Sequence, residues 1–486
     1  MTKLKPNTAC FLAFTGIFAV LAGFVFWGAW SVDYAPVMPD HPILWPPDAK
    51  VRLGRWLEEF FRTGRCEPLE IFNLAGSPYW WQEFKYAVCL YLSGLGMAYF
   101  LRGKGLSRLA AYSGGLLLAF CGYWSTLFSA GHYGWFQWMA YGVFAFGLTD
   151  RAIERGDLRY WVLLGSALAW GSMRQPDLWL LFTAFNFVYC LSMWLARGRP
   201  VDWKGWLAGA LAFLLVGAPG FFHAGTAEVA GRDRQIEESG QDRWTFVTNW
   251  SMPPEDTLEF FVPRIHGDTS CRYTLHYARK AGKDTAPYTG RLGRPVSPDG
   301  REAPRGNYRQ HSLYVGYVTC ILAVVGAILG RKRRAVWFFA ASALVFWLFS
   351  LGRYCAPVYR LVYALPMGDY LRAPVKWHHL TEFCLVILAA FGLDALGRKF
   401  NRAHLWLALL VLWGAADLAR VDAKYCAPVW LGRQKQVYAA SPESSSVPPL
   451  EPRTVPAALG LVSLLASMGA IGYGAFSATR GRHSRR

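Results

Sequence analysis

The stretch LYVGYVTCILAVVGAILGRKRRAVWFFAASALVFWLFSLGR, residues 313–353, decides the fold. Two apolar runs flank RKRR, four consecutive basic residues at 331–334. A helix of about 20 apolar residues spans a bilayer, and Lys and Arg concentrate in the cytoplasmic connections. The stretch therefore predicts two membrane helices joined by a cytoplasmic turn.

The same alternation of apolar runs and short polar connections continues along the chain. It predicts an all-α polytopic membrane protein with about 12 transmembrane helices. The predicted spans are Phe11–Trp30, Phe84–Leu101, Leu109–Phe128, Gly134–Thr149, Tyr160–Ser172, Leu178–Leu195, Gly205–Phe222, Ser312–Leu329, Ala335–Leu351, His378–Leu396, His404–Ala419 and Val455–Phe476.

The basic residues set the orientation. With both termini in the cytoplasm, the inner segments hold 22 Lys and Arg against four acidic residues. The net charge of +19 therefore lies almost entirely on one side of the membrane and does not indicate nucleic-acid binding. These inner segments are the N-terminus, RGKGLSR, DRAIERGDLR, RGRPVDWKG, RKRR, GRKFNR and the tail TRGRHSRR.

Long connections fall on the other side. They are residues 31–83, 223–311 and 420–454, and the last contains SPESSSVPPLEP, which is predicted to be flexible. A transporter keeps its polar groups at mid-membrane, whereas these predicted spans contain few charges. The pattern favours a single integral membrane domain over 1–486 with its chemistry at the outer surface.

The first outer connection contains an amphipathic pattern. Residues 49–63 are predicted to form a helix lying in the membrane interface and ending at Gly64. Asp48 precedes this helix, where it serves as an N-cap or as a general base held above the spans. The apolar face of the helix is Leu53, Trp56, Leu57, Phe60 and Phe61.

Further outer polar residues are candidate ligands for an anionic group, since Arg makes bidentate contacts with phosphate and Lys supplies a point charge. Interfacial snorkelling explains any single cation equally well, and an interfacial His can simply pack among aromatic rings. Arg174 has a further alternative, an ion pair with Asp177. The candidates are Arg372, Lys376, Arg264, Arg174, His132, His266 and His378.

Two carboxylates fall within or near predicted spans. Asp394 lies beside Arg398 and is expected to form an ion pair, while Asp417 is a functional candidate by its position. Four outer cysteines, Cys66, Cys271, Cys355 and Cys426, leave disulfides and free thiols equally open. The sequence has no P-loop, GxGxxG, GxSxG or zinc motif.

The chain resembles the YfhO-like bacterial membrane proteins of the GT-C glycosyltransferase superfamily. The resemblance covers the chain up to about residue 402. It rests on PPDAKVRLGRWLEEFFRTG and NLAGSP in the first outer connection, LRGKGLSRLAAYSGGLLLAFCGYWSTLFSAGHYGWFQWMA, WSMPPEDTLEFFVPRIHG, the stretch at 313–353 and LRAPVKWHHLTEFCLVILAAFGLDAL. The family usually places Gln-Tyr after its first-loop Asp, where this chain has Lys50-Val51-Arg52.

The resemblance implies an inverting transferase in the bacterial inner membrane. Such an enzyme moves a sugar from a polyprenyl-phosphate donor to an acceptor hydroxyl of an envelope glycan, glycolipid or protein. It implies Asp48 as general base, with Asp33 and Asp40 as weaker candidates, and the outer cations and histidines as binding groups. No cofactor is certain, although a divalent metal between loop carboxylates and phosphate is compatible with the family.

Two other functions stay open. A flippase or transporter of lipid-linked saccharides would depend on residues within the membrane such as Asp417. A non-catalytic envelope-assembly protein would tolerate the Asp48→Asn substitution.

Overall fold

The computed structural model describes residues 6–26, 34–36, 49–70, 80–130, 132, 134–173, 175–198, 202–267, 289–293, 312–400, 402–426, 431–433 and 454–483. Nearly all of this part of the chain is helical. The α-helices in chain order are α1 (Pro6–Val25), α2 (Ala49–Thr63), α3 (Trp80–Gly103), α4 (Arg108–Ala119), α5 (Tyr123–Ala130), α6 (Gly134–Arg155), α7 (Leu158–Ser172), α8 (Pro176–Arg197), α9 (Trp203–His223), α10 (Val229–Ser239), α11 (Arg243–Thr248), α12 (Tyr317–Leu329), α13 (Arg334–Ser350), α14 (Ala356–Tyr363), α15 (His378–Lys399), α16 (His404–Cys426) and α17 (Thr454–His483).

Short 3-10 helices lie at Pro68–Glu70, Pro254–Phe260, Gly352–Cys355, Gly368–Tyr370 and Pro374–Trp377, and a π-helical turn at Ala224–Glu228 continues α9. Two three-residue strands, β1 (Tyr34–Pro36) and β2 (Leu431–Arg433), pair antiparallel with Tyr34 opposite Arg433.

The helices form two compact units. Unit 1 comprises 1–43, 104–133 and 231–433, and unit 2 comprises 44–103, 134–230 and 434–486. Both contain exposed apolar helix faces, such as Val20 in unit 1 and Leu465 in unit 2. Such faces suit a lipid environment, where apolar side chains need no cover from water.

Seven helices in the described residues are long and apolar enough to cross a membrane, which is compatible with a polytopic membrane protein. Helix α13 and the segment 352–363 form an eighth candidate that bends by 112°. The seven segments are Thr8–Val25, Phe84–Gly103, Pro176–Arg197, Trp203–Ser239, Pro374–Lys399, His404–Ala423 and Thr454–Phe476.

The predicted span Leu109–Phe128 is not one continuous helix. It divides into α4 and α5 around Gly122, whose N–H donates to the Tyr314 carbonyl at 2.8 Å. A Cβ at Gly122 would lie 2.6 Å from Ser312 Oγ, so the missing side chain permits this close approach. Apolar composition alone does not reveal such a break, and the predicted number of 12 spans remains a prediction.

Helix α15 lies at the centre of unit 1. It is buried along most of its length and packs tightly against α12. A Cβ at Gly392 would lie 2.1 Å from the Leu322 carbonyl oxygen, and one at Gly326 would lie 1.9 Å from that of Leu388. Glycine pairs of this kind let two membrane helices approach backbone to backbone.

The predicted amphipathic helix is confirmed as α2, with the predicted bounds and with Gly64 as its C-terminal stop at φ +71°. Part of its apolar face packs within unit 2. A Cβ at Gly460 of α17 would lie 3.0 Å from the Phe60 ring, and Phe60 is buried. Phe60 is therefore covered by protein, while Leu53 on the same face is exposed.

Candidate functional site

Three segments of unit 1 meet where α15 begins. Ala373 N–H donates to the Val247 carbonyl at 3.1 Å, and Val375 N–H donates to that of Trp250 at 3.1 Å. Met252 N–H donates to the Ser350 carbonyl at 2.9 Å. The first two bonds fix the residues that precede α15 against the segment 247–250, and the third joins Met252, just beyond that segment, to the end of α13.

Backbone strain is concentrated in the same region. The non-glycine residues with positive φ in the described part of the chain are Trp250, Arg264, Met367 and Ala373, at 61–65°. Such conformations cost about 1–3 kcal/mol each and persist only where the surroundings enforce them. They cluster at functional sites in many proteins, so we take this region as the candidate site.

Residues 372–376, here named the cationic turn, contain two of the predicted binding residues. Arg372 is half-buried, with its guanidinium 4.8 Å from the centre of the Phe246 ring and one nitrogen 3.4 Å from Gln235 Oε1. Lys376 is also half-buried and ends the turn just before Trp377 and α15. The structure thus holds both cations in one short segment, as an anion site requires.

Arg243 adds a cation that the sequence did not single out. Its guanidinium lies 2.7 Å from Asp233 and 3.0 Å from Asp369, above the ring of Tyr370 at 4.9 Å. Two carboxylates neutralise this arginine, so it orders the residues before the cationic turn and has little charge left for an anion.

The predicted residues Arg264 and His266 lie after the 3-10 helix Pro254–Phe260. His266 Nε2 lies 3.6 Å from the Asp256 carboxylate and 3.2 Å from the Glu255 carbonyl oxygen. His266 is thus held by its own segment, and its imidazole stabilises the local structure.

Two carboxyls of this segment have shifted pKa values. The Arg291 guanidinium, 2.7 Å away, lowers the pKa of Glu255. Burial raises the pKa of Glu259 well above its usual value, and the neighbouring Asp256 carboxylate raises it further. Glu259 therefore retains its proton at a higher pH than an exposed glutamate.

A buried cluster adjoins the cationic turn and comprises His378, His379, Glu382, Asp422 and Tyr123. Glu382 accepts a hydrogen bond from the Tyr123 backbone N–H at 3.2 Å. Its two oxygens lie 3.4 Å from His378 Nε2 and 3.5 Å from His379 Nδ1. One carboxylate thus contacts both imidazoles at distances longer than those of strong ion pairs.

The position of His378 limits its role. Its side chain is fully buried, between the Phe260 ring at 4.4 Å and the Tyr123 ring at 5.7 Å. As observed, it has no surface for contact with a substrate. It begins α15 two residues after the cationic turn, and its packing helps to fix the end of that turn.

Asp422 of α16 completes the buried cluster. It is 0 % exposed, and neither carboxylate oxygen accepts a hydrogen bond of ordinary length from the described residues. The Ser125 side chain is near enough to interact with it, as is the Glu382 carboxylate. A buried carboxyl of this kind is costly to retain for stability alone, and it is a functional candidate.

Other predicted residues lie elsewhere or outside the described residues. His132 is half-buried, and its backbone N–H donates to the Leu127 carbonyl at 2.9 Å. The Tyr314 hydroxyl and the Arg420 guanidinium, 2.8 Å away, bind Asp417. The predicted residues Asp48, Asp33, Asp40, Arg174 and Cys271 lie outside the described residues, and the side chain of Cys426 is not described.

The predicted ion pair between Asp394 and Arg398 is confirmed, at 2.9 Å. Within the described residues no three His, Cys, Asp or Glu side chains are grouped to hold a metal ion.

Sequence reasoning missed Glu382 and Asp422. The spacing His378, His379, Glu382 carried a usable signal, because residues three and four apart on a helix lie on one face. Nothing in the sequence linked them to Asp422, which comes from another helix.

No protein-family model, curated protein or solved structure matches this chain.

Proposed function

We propose that this protein is a GT-C-type membrane glycosyltransferase that moves a sugar from a polyprenyl-phosphate donor to an acceptor hydroxyl. The observation that best supports the proposal is the continuity of the cationic turn with the buried cluster. Two half-buried cations precede a helix that begins with two imidazoles and has a carboxylate, Glu382, one turn later. This arrangement suits an enzyme that binds a lipid phosphate at a membrane surface.

In the proposed mechanism, Arg372 and Lys376 bind the donor phosphate. As the bond between the sugar and the phosphate breaks, negative charge grows on the phosphate oxygens, and fixed cations stabilise it. Phosphate leaves without prior protonation, so a general acid is not required. His378 and Glu382 hold the turn in position.

Asp48 is the proposed general base, with Asp33 and Asp40 as the weaker candidates. It removes the proton from the acceptor hydroxyl as that oxygen attacks the sugar carbon from the face opposite the phosphate, which inverts the configuration. The proposed steps use protein side chains only, and adding a chelator tests whether a divalent metal also takes part.

The proposal also includes the number of spans and their orientation in the membrane. Twelve spans would place both termini in the cytoplasm and the cationic turn on the outer face of a bacterial inner membrane. The acceptor would be an envelope glycan, glycolipid or protein on that face.

The test uses purified protein in nanodiscs, a panel of radiolabelled polyprenyl-phosphate sugars and envelope extract as acceptor. We expect label transfer by the wild type and a loss of roughly 10²–10⁴-fold with Asp48→Asn. Glu238→Gln is the matched control, because Glu238 is an exposed carboxylate on α10. Absence of transfer across the panel by well-folded protein, or full activity of Asp48→Asn, would contradict the proposal.

The burial of Asp422 favours a second candidate, a flippase or transporter of lipid-linked saccharides. Such a protein would move a fluorescent lipid-linked saccharide across a liposome membrane and would lose this activity with Asp422→Asn. It would catalyse no label transfer in the first assay.

A further inference from the structure

The C-terminal end of α15 borders a concave site, which is independent of the proposed function. A basic cavity of about 420 Å³ lies in unit 1 among α12, α13 and α15. Its polar lining consists of Lys332, Arg333, Asp394, Arg398 and Lys399. Four cations against one carboxylate leave the cavity strongly positive.

Asp394, the single carboxylate of the cavity lining, already has hydrogen-bond and ion-pair partners. Asp394 accepts a hydrogen bond from the Ser107 backbone N–H at 2.7 Å and pairs with Arg398 at 2.9 Å and with Arg333 at 3.8 Å. Lys332 and Lys399 are exposed, and Lys399 lies 5.4 Å from the Phe400 ring. The two lysines therefore supply positive charge that Asp394 does not neutralise.

The N-terminus of helix α13 also lies at the edge of the cavity. Its 17 residues begin at Arg334, directly after Arg333, and no side chain caps its N-terminus. The first N–H groups of a helix and its dipole favour an anion. The positive end of the helix dipole thus adds to the positive charge of the nearby lysines.

Apolar side chains surround the cavity. Leu329 lines it and is 44 % exposed, while the neighbouring Ile328, Trp337 and Phe400 are each at least half exposed. Trp337 donates its indole N–H to the Arg331 carbonyl at 2.8 Å, a placement typical of tryptophan at a membrane interface. Acyl chains would cover these side chains, whereas a free anion would leave them exposed.

We propose that this cavity binds the phosphodiester headgroup of an anionic phospholipid, with Lys332 and Lys399 on the phosphate and the acyl chains along the adjacent apolar side chains. The volume accommodates a small headgroup. Basic pockets between membrane helices are suited to such lipids.

The test measures lipid retention by native mass spectrometry and lipid-dependent melting of the full chain in detergent. The added lipids are dioleoylphosphatidylglycerol, dioleoylphosphatidylcholine and, separately, inorganic phosphate. The test variant is Lys332→Ala/Lys399→Ala, which spares the two arginines that neutralise Asp394. The matched control is Lys204→Ala/Arg402→Ala, which removes two charges from exposed residues that do not line the cavity.

We expect phosphatidylglycerol to bind the wild type and the control variant equally, and the test variant roughly 10- to 30-fold more weakly. Phosphatidylcholine and inorganic phosphate should bind none of them to a comparable extent. Equal weakening in both variants would show general charge attraction and overturn the site. Equal protection by inorganic phosphate would overturn the assignment to a lipid. Melting of each variant without lipid verifies folding.

Discussion

Helix α15 has a buried carboxylate near each end, and the two differ in their partners. Asp394, near the C-terminus, accepts a backbone hydrogen bond and pairs with two arginines. Glu382, near the N-terminus, accepts a backbone hydrogen bond and lies next to two imidazoles. The Asp422 carboxyl is also close to it. The same chemical group thus has two arginines as partners at one end of the helix and two imidazoles at the other.

This difference leads us to expect a structural role for Asp394 and a functional role for Glu382. Guanidinium groups are always protonated, so the charge of Asp394 is balanced at any physiological pH. Imidazoles carry no permanent charge, so the Glu382 carboxylate is not balanced in the way that Asp394 is. We therefore expect changes near Asp394 to alter stability and changes near Glu382 to alter activity.

The largest effect should come from the cationic turn. Arg372→Ala removes a charge-assisted contact to the donor phosphate and should lower transfer roughly 10- to 100-fold, mainly through weaker donor binding. Arg398→Ala at the opposite end should leave transfer intact, since Asp394 keeps Ser107 and Arg333 as partners. Steady-state kinetics with varied donor would measure both, and equal losses would remove the distinction between the two ends.

The next largest effect should come from the contact between α15 and α12, and it should act on stability through packing. Gly392→Ala places a Cβ 2.1 Å from the Leu322 carbonyl oxygen and should destabilise unit 1 by about 1–3 kcal/mol. Gly16→Ala in α1 is the control, because nothing lies within 4 Å of its added Cβ. Thermal melting in nanodiscs would check this, and an unchanged Gly392→Ala would mean that α12 and α15 separate easily.

The smallest effect should come from the pair of Glu255 and Arg291. Arg291 lowers the pKa of Glu255, so the pair stabilises the fold above the ordinary carboxyl pKa of about 4.3. That stability is lost as pH falls through the lowered value. Both side chains are over a third exposed, so Glu255→Gln should cost less than about 1 kcal/mol at pH 7.

Melting of Glu255→Gln as a function of pH tests the sign of that effect. The difference from wild type should vanish at acidic pH. A difference that grows as pH falls would show that the carboxylate does not stabilise the fold.

The sequence predicted the parts of the fold that depend on local pattern. Apolar period and charge predicted the helix at 49–63 with its stop at Gly64, and spacing along one helix predicted the pair of Asp394 and Arg398. Both features are decided by residues close in sequence, where helical geometry alone fixes the distances.

The features that the sequence did not predict depend on distant residues. The break at Gly122 arises from its contact with Ser312 and Tyr314, and the buried cluster joins α15 to α5 and α16. His378 matches the pattern of an interfacial ligand, but packing between Phe260 and Tyr123 buries it. Tertiary packing of this kind has no local signature.

The most direct test compares Glu382→Gln with Asp394→Asn in one experiment. Each is measured for transfer from polyprenyl-phosphate sugars and for melting temperature in nanodiscs. We expect Glu382→Gln to lose most of its transfer activity with only a small change in melting temperature. Asp394→Asn should keep its activity per folded molecule and melt at a lower temperature, because its free energy of unfolding falls by about 1–2 kcal/mol. The reverse result, with activity lost at Asp394 and stability alone lost at Glu382, would contradict the account.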